Sequence, residues 1–174
     1  MCRVDGWVTC HRQTEDGAVE SEQRVALSRP VVEFSSAGGV ELGSAYWREV
    51  RRATRSLVRA REASNSLELR LLGSGPTLLR FGLPTVEASK TLVSCTYPIE
   101  GGLLARQPSG KITFEQTGGV APTVSSTIRG FFPRLAARHG RPTWTGALYD
   151  QIQSRAHVAL SRRYFNRLIS EATA

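Results

Sequence analysis

Between Leu67 and Arg129 the sequence alternates apolar and polar residues in run after run, with only short turns between the runs. Leu67, Leu69 and Leu71 alternate with Glu68 and Arg70, the period-two pattern of a half-buried strand. The turn "GSGP" at 73–76 is followed by "TLLRFG", a further strand that Pro84 ends. Val93, Cys95 and Tyr97 then alternate with Leu92, Ser94 and Thr96. In "KITFEQT", Ile112, Phe114 and Gln116 share one face, and Lys111, Thr113 and Glu115 the other. Val124, Ser126 and Ile128 alternate with Ser125, Thr127 and Arg129. Strands joined by short glycine-rich turns pair antiparallel, because a parallel pair needs a crossover of about a dozen residues or more. The chain is thereby committed to an antiparallel meander of about five or six strands, whose apolar face needs a cover.

That cover is predicted at the C-terminus, beyond Pro133, Gly140 and Pro142. Leu148, Ile152, Ala156, Leu160, Tyr164 and Leu168 recur at a spacing of four, and Ala159, Phe165 and Ile169 widen the stripe. Arg155, Arg162, Arg163 and Arg167 fall mostly outside it. About 25 residues of helix would run roughly 37 Å, enough to cross a whole sheet. An earlier helix of about fifteen residues is predicted in "SAYWREVRRATRSLV". There Tyr46, Val50, Ala53 and Leu57 share a face, Trp47 and Val58 widen it, and Ser44 serves as N-cap. Ahead of it "VVEFSS", residues 31–36, reads as a strand and "AGGVELG" as a turn. The fold class is therefore α+β, a curled antiparallel sheet gripping a long C-terminal helix. Its expected core contains Trp47, Val50, Leu69, Leu71, Phe114, Ile128, Ile152 and Leu160.

Residues 1–29 are polar, mixed in charge and poorly periodic, although "VTC" after Trp7 could add a short strand. They are expected to form a loosely attached or disordered arm, with 30–174 a single domain, as a length of 174 residues suggests. No run of about 18 apolar residues offers a membrane span, and no basic-then-apolar N-terminal pattern marks a signal peptide. The three cysteines, Cys2, Cys10 and Cys95, make no disulfide framework, so a cytoplasmic location is expected. Cys2, Cys10 and His11 lack a fourth ligand nearby, so neither a metal nor a cofactor is expected. The net charge of +8 is concentrated at the C-terminal end, where residues 129–174 hold eight arginines against two acids. Only two of the 23 basic residues are lysines, a skew that a GC-rich bacterial genome can produce by itself. A solvated basic face is the plainer reading.

One stretch breaks the alternation. In "TYPIEGGLLARQPSG" a lone carboxylate, Glu100, precedes two glycines and then Leu103 and Leu104 in succession. The glycines permit a bulge or sharp bend where the sheet curls. Consecutive leucines point to opposite faces, so one of them is exposed or covered by another element. It could line a cavity mouth or a homodimer contact.

Glu100 is the leading carboxylate candidate. Facing inward it would be desolvated and able to act as a general acid or base; facing outward it is a surface residue paired with Arg106. Tyr97 presents a phenol to a ligand or serves as a core aromatic. His157, with Gln153 and Tyr149 one and two turns earlier, forms a semi-polar strip on the flank of the long helix. That strip either orients a ligand or faces water. Cys95 sits mid-strand with no evident base, which argues against a nucleophile. No GxSxG, P-loop, GxGxxG or paired metal triad is present.

The element order, together with "VEFSS…YWREV", "SGKITFEQTGG" and "LYDQIQSRAHVALSRRYFNRLI", resembles the START-like, birch-pollen-allergen-like superfamily, also called SRPBCC or polyketide cyclase-like. The resemblance spans roughly residues 30–172, and it departs from the usual pair of short helices after the first strand. It implies a helix-grip fold and a cavity between sheet and helix for a small hydrophobic or aromatic molecule. Tyr97, Glu100, Phe114, Tyr149, Gln153 and His157 are the expected ligand-binding residues. A cyclase- or hydratase-like enzyme of the same fold is the alternative. Binding of nucleic acid or anionic surfaces by the C-terminal arginines is a third reading, weakened by the lack of interleaved aromatics or a reading motif.

Overall fold

The computed structural model describes residues 2–4, 7–134 and 158–171. It contains strands β1 (Cys2–Val4), β2 (Trp7–Gln13) and β3 (Val19–Ala26), then helix α1 (Ser36–Ala53). Seven strands follow: β4 (Val58–Ala63), β5 (Ser66–Leu71), β6 (Thr77–Gly82), β7 (Thr85–Ala88), β8 (Leu92–Gly101), β9 (Lys111–Thr117) and β10 (Thr123–Phe131). Helix α2 occupies residues 158–171. All pairings are antiparallel, in the order β1-β2-β3-β10-β9-β8-β6-β5-β4, with β7 also paired to β8. This is the expected α+β class. No helix among the described residues is long and apolar enough to cross a membrane.

The N-terminal segment corrects the sequence reading. Residues 1–29 were expected as an arm, yet β2 and β3 form a hairpin, and β3 is registered against β10 from Thr123↔Ala26 to Ile128↔Ser21. Its inward residues are Val19, Ser21, Gln23 and Val25, all buried. Half of that inward face is polar, so no apolar alternation announces it. Gln23 donates to Ser21 Oγ at 2.7 Å and accepts from Ser161 Oγ of α2 at 3.3 Å, which keeps these buried polar groups hydrogen bonded.

The start of α1 is a second correction. "VVEFSS" is not a strand, and the cap is Ser35, not Ser44. Ser35 Oγ accepts from the Gly38 amide at 3.2 Å. The Val31 and Val32 amides, which a strand would have paired with a neighbour, donate instead to Gln116 Oε1 at 2.7 and 3.0 Å. Gln116 Nε2 donates back to the Val32 carbonyl at 2.8 Å. "AGG", expected as a turn, lies in the helix because α1 runs tight against β7 and β8. A Cβ at Gly39 would stand 2.5 Å from Val86 Cγ1, and one at Gly43 would stand 2.5 Å from the Tyr97 hydroxyl and 3.0 Å from Cys95 Sγ. Glycine in a helix costs about 1 kcal/mol relative to alanine. Close approach to the sheet offsets that here. Gly43→Ala is thus expected to destabilise by about 1–2 kcal/mol in urea unfolding, since overpacking of about 1–3 kcal/mol outweighs the gain in propensity. A more stable variant would mean that α1 can step away from the sheet.

The helix ends at Thr54, and Arg55 and Ser56 adopt left-handed φ of 51° and 66°. Leu57, counted on the helical stripe, therefore lies beyond the helix and is 55% exposed. Leu71, expected in the core, is 38% exposed at the end of β5, where the chain turns. Of the remaining predicted core, Trp47, Val50, Leu69 and Phe114 are buried, Ile128 and Leu160 are partly buried, and Ile152 lies outside the described residues.

The bend at Gly101-Gly102 is present. The first half of β8 pairs with β7 and its end with β6, where the register shifts between Arg80↔Gly101 and Phe81↔Ile99. Gly101 and Gly102 have φ of 137° and 116°, and a Cβ at Gly102 would meet the Leu78 carbonyl oxygen at 2.5 Å. Leu103, the first of the paired leucines, is 48% exposed.

Candidate functional site

The inward faces of β5, β6, β8, β9 and β10 meet α1 and α2 around a continuous aromatic core. Phe114 of β9 is fully buried, with its ring centroid 4.5 Å from Tyr46 and 5.7 Å from Tyr164. Trp47 stands edge-on to Tyr97 at 5.3 Å and lies 5.0 Å from Phe81. Tyr164 and Phe165 bring α2 into the cluster, with the Tyr164 hydroxyl donating to the Leu42 carbonyl at 3.0 Å. Phe165 reaches the N-terminal hairpin, 5.3 Å from Trp7.

Next to this packed region is a cavity of about 530 Å³. Its α1 wall is Tyr46, Trp47, Val50, Ala53 and Thr54. The sheet contributes Leu69, Leu79, Phe81, Ile99, Ile112, Ile128 and Phe131, and α2 contributes Ala159, Leu160 and Arg163. Ile112 and Ile128 are register partners across β9 and β10, so one apolar stripe of the sheet forms the floor. The volume falls within the roughly 300–1,000 Å³ of small-molecule pockets, and the walls have the apolar character of such sites. Among the described lining residues there is no carboxylate, histidine or cysteine; Arg163 is the one charged group.

The expected site residues are distributed otherwise. Tyr97 and Phe114 come together, ring centroids 6.3 Å apart, but in the packed core behind the cavity wall. Ile99 and Ile112, each two residues further along the same strand faces, line the cavity instead. Glu100 is exposed: alternation along β8 turns Ile99 inward and Glu100 outward, over Gly82. Tyr149, Gln153 and His157 lie outside the described residues. The residues that sequence reasoning missed are the isoleucines of the sheet and the C-terminal half of α1. Their signal was apolar identity at inward positions, which does not distinguish a wall from a filled core.

The buried phenols and the thiol near the cavity are held neutral. Burial pushes the phenols of Tyr46 and Tyr164 far above their ordinary value. Burial is also the main cause for Tyr97, reinforced by Cys95. Burial raises the Cys95 thiol as well, against a hydrogen bond with Tyr97, so no thiolate nucleophile forms there at neutral pH. These groups can pack or donate a hydrogen bond; they do not supply a base.

The opposite face of the sheet has a smaller polar groove of about 280 Å³ over Ser94, Thr96, Thr113, Ser125 and Thr127. Glu22, Glu87 and Glu115 balance Arg24, Lys111 and Arg129 around it, leaving no net sign of charge.

No family model matches the chain, and no curated protein matches it. Among solved structures it is similar to CalU16 from Micromonospora echinospora, at 10% identity and a TM-score of 0.35, over 98% of this chain and 100% of that one.

Proposed function

We propose that this protein binds a small hydrophobic or aromatic molecule in the cavity between the sheet and α2. The observation that carries the reading is an apolar cavity of ligand size beside a core that is otherwise packed solid. Apolar walls left to water are hydrated at a cost, so an occupant of matching character stabilises the fold by mass action. The lack of any carboxylate, histidine or cysteine among the described lining residues favours binding over acid–base turnover.

The test is titration with the neutral fluorophore phenylnaphthylamine, followed by fluorescence and by thermal unfolding. Saturable binding is expected, with a stabilisation of about 2.7 kcal/mol at a hundredfold excess over Kd. Leu160→Trp, which fills the cavity from α2, should keep the fold and weaken binding at least about tenfold. No binding to the folded chain, or binding that a folded Leu160→Trp protein leaves untouched, would remove the cavity as the site.

A further inference from the structure

The cavity wall holds few polar side chains, and they are not equally available. The Thr54 hydroxyl is committed: it donates to the Val50 carbonyl at 2.8 Å and accepts from the Val58 amide at 3.1 Å. Tyr46 is packed among Trp47, Phe114 and Tyr164. Arg163 differs from both. It lies on α2 one turn from Ala159 and Leu160, lines the cavity, and is exposed at its rim. Among the described residues its side chain forms no ion pair and no hydrogen bond. Arg167 pairs with Glu171 at 4.0 Å and Arg48 with Glu41, whereas Arg162, likewise without an ion pair among the described residues, does not line the cavity. No carboxylate among the described lining residues balances Arg163.

We infer that the occupant is an amphipathic carboxylate, with its apolar body in the cavity and its charged head on Arg163 at the rim. The inference rests on the reading of the cavity as a binding site. An arginine stem can lie along an apolar wall while the guanidinium stays in water, so the head group keeps part of its hydration and escapes the cost of full burial. A guanidinium presents a planar fork that matches a carboxylate with two parallel hydrogen bonds. One guanidinium balances one negative charge, which suits a carboxylate better than a phosphate monoester of about −1.5 to −2. A cationic amphiphile would meet repulsion at the same place.

The experiment compares dodecanoate and dodecanol, each displacing phenylnaphthylamine, with the full chain and with two variants. Arg163→Gln removes the charge and retains a polar stem. Arg162→Gln removes another exposed charge of α2, one that does not line the cavity. Thermal unfolding confirms that each variant is folded. Dodecanoate is expected to bind the native chain at least about fivefold more tightly than dodecanol, a preference in keeping with a partly exposed ion pair. Arg163→Gln should abolish that preference and Arg162→Gln should preserve it. Equal binding of acid and alcohol overturns the head-group inference while leaving the cavity reading in place. Equal loss in both variants also overturns it, because the preference then reflects the overall positive charge. Failure of phenylnaphthylamine and of both dodecyl compounds to bind overturns the cavity reading itself, and the inference with it.

Discussion

Removal of residues 158–174 is expected to leave a chain with no cooperative unfolding transition. Helix α2 places Tyr164, Phe165 and Leu168 in the core at 1%, 0% and 3% exposure. Truncating one buried large side chain to alanine costs about 2–5 kcal/mol. Three such anchors together reach about 10 kcal/mol, comparable to the entire 5–15 kcal/mol that stabilises a typical domain. The loss is also polar. Gln23 would lose its bond from Ser161, and Tyr46 and Phe114 would each lose the edge-on ring of Tyr164. An apolar sheet face left open is an aggregation surface as well. Circular dichroism during heating, with the soluble fraction after centrifugation, checks the result. A soluble truncated chain with a sigmoidal melt would show that the sheet and α1 suffice.

The sequence made the middle of the sheet legible because its inward positions are consistently apolar. Leu67 and Leu69, Val93 to Tyr97, and Ile112 and Phe114 declare strand and face together. The N-terminal hairpin was hidden for the opposite reason. Ser21 and Gln23 are buried in β3 because Gln23 donates to Ser21 and accepts from Ser161 of α2, and no single-sequence pattern reveals such partners. The beginning of α1 was hidden by Gly38, Gly39 and Gly43, which locally oppose a helix; the sheet lies close to Gly39 and Gly43, and the Glu33 backbone lies close to Gly38. Val31 and Val32 read as strand residues, but a side chain 84 and 85 positions away took their amides. Tertiary partners decided all three cases.

The site was legible only to the resolution of a face. Sheet and C-terminal helix are expected to enclose a cavity; the pocket proposed here as the site is bordered by α1 as well as by residues of both. Which residues form its wall depends on position along the strand. Tyr97 and Ile99 share a face of β8, about 7 Å apart. The first meets Trp47 and Phe114, whereas the second faces open volume. On β9 the same two-residue step separates Phe114 from Ile112. That boundary is set by where α1 ends and how α2 crosses, which alternation does not encode.

Phe114 stands on the packed side of that boundary, which makes its substitution the sharpest single-residue probe of the core. Phe114→Ala is expected to cost about 3–5 kcal/mol. The side chain is fully buried, with four aromatic rings around it: Tyr46 at 4.5 Å, Tyr164 at 5.7 Å, Trp47 at 6.0 Å and Tyr97 at 6.3 Å. Two of those rings belong to α1, one to α2 and one to β8, so no single element can move in to fill the space. For a chain of this length, each kcal/mol lowers Tm by about 2–4 °C, so the melt should fall by roughly 6–20 °C. Phe114→Leu retains most of the volume and should lose less than half as much. Urea unfolding of the three proteins separates these cases, because a change in midpoint at constant slope reports stability alone. The variant also bears on binding. The space vacated by the ring lies beside Tyr46 and Trp47, which line the cavity on their other side. If the two volumes join, a ligand bulkier than phenylnaphthylamine should restore part of the lost stability to Phe114→Ala and not to the native chain. A cost below 1 kcal/mol would mean that α1 and α2 collapse onto the gap, and that the aromatic core is not the rigid back wall its geometry describes.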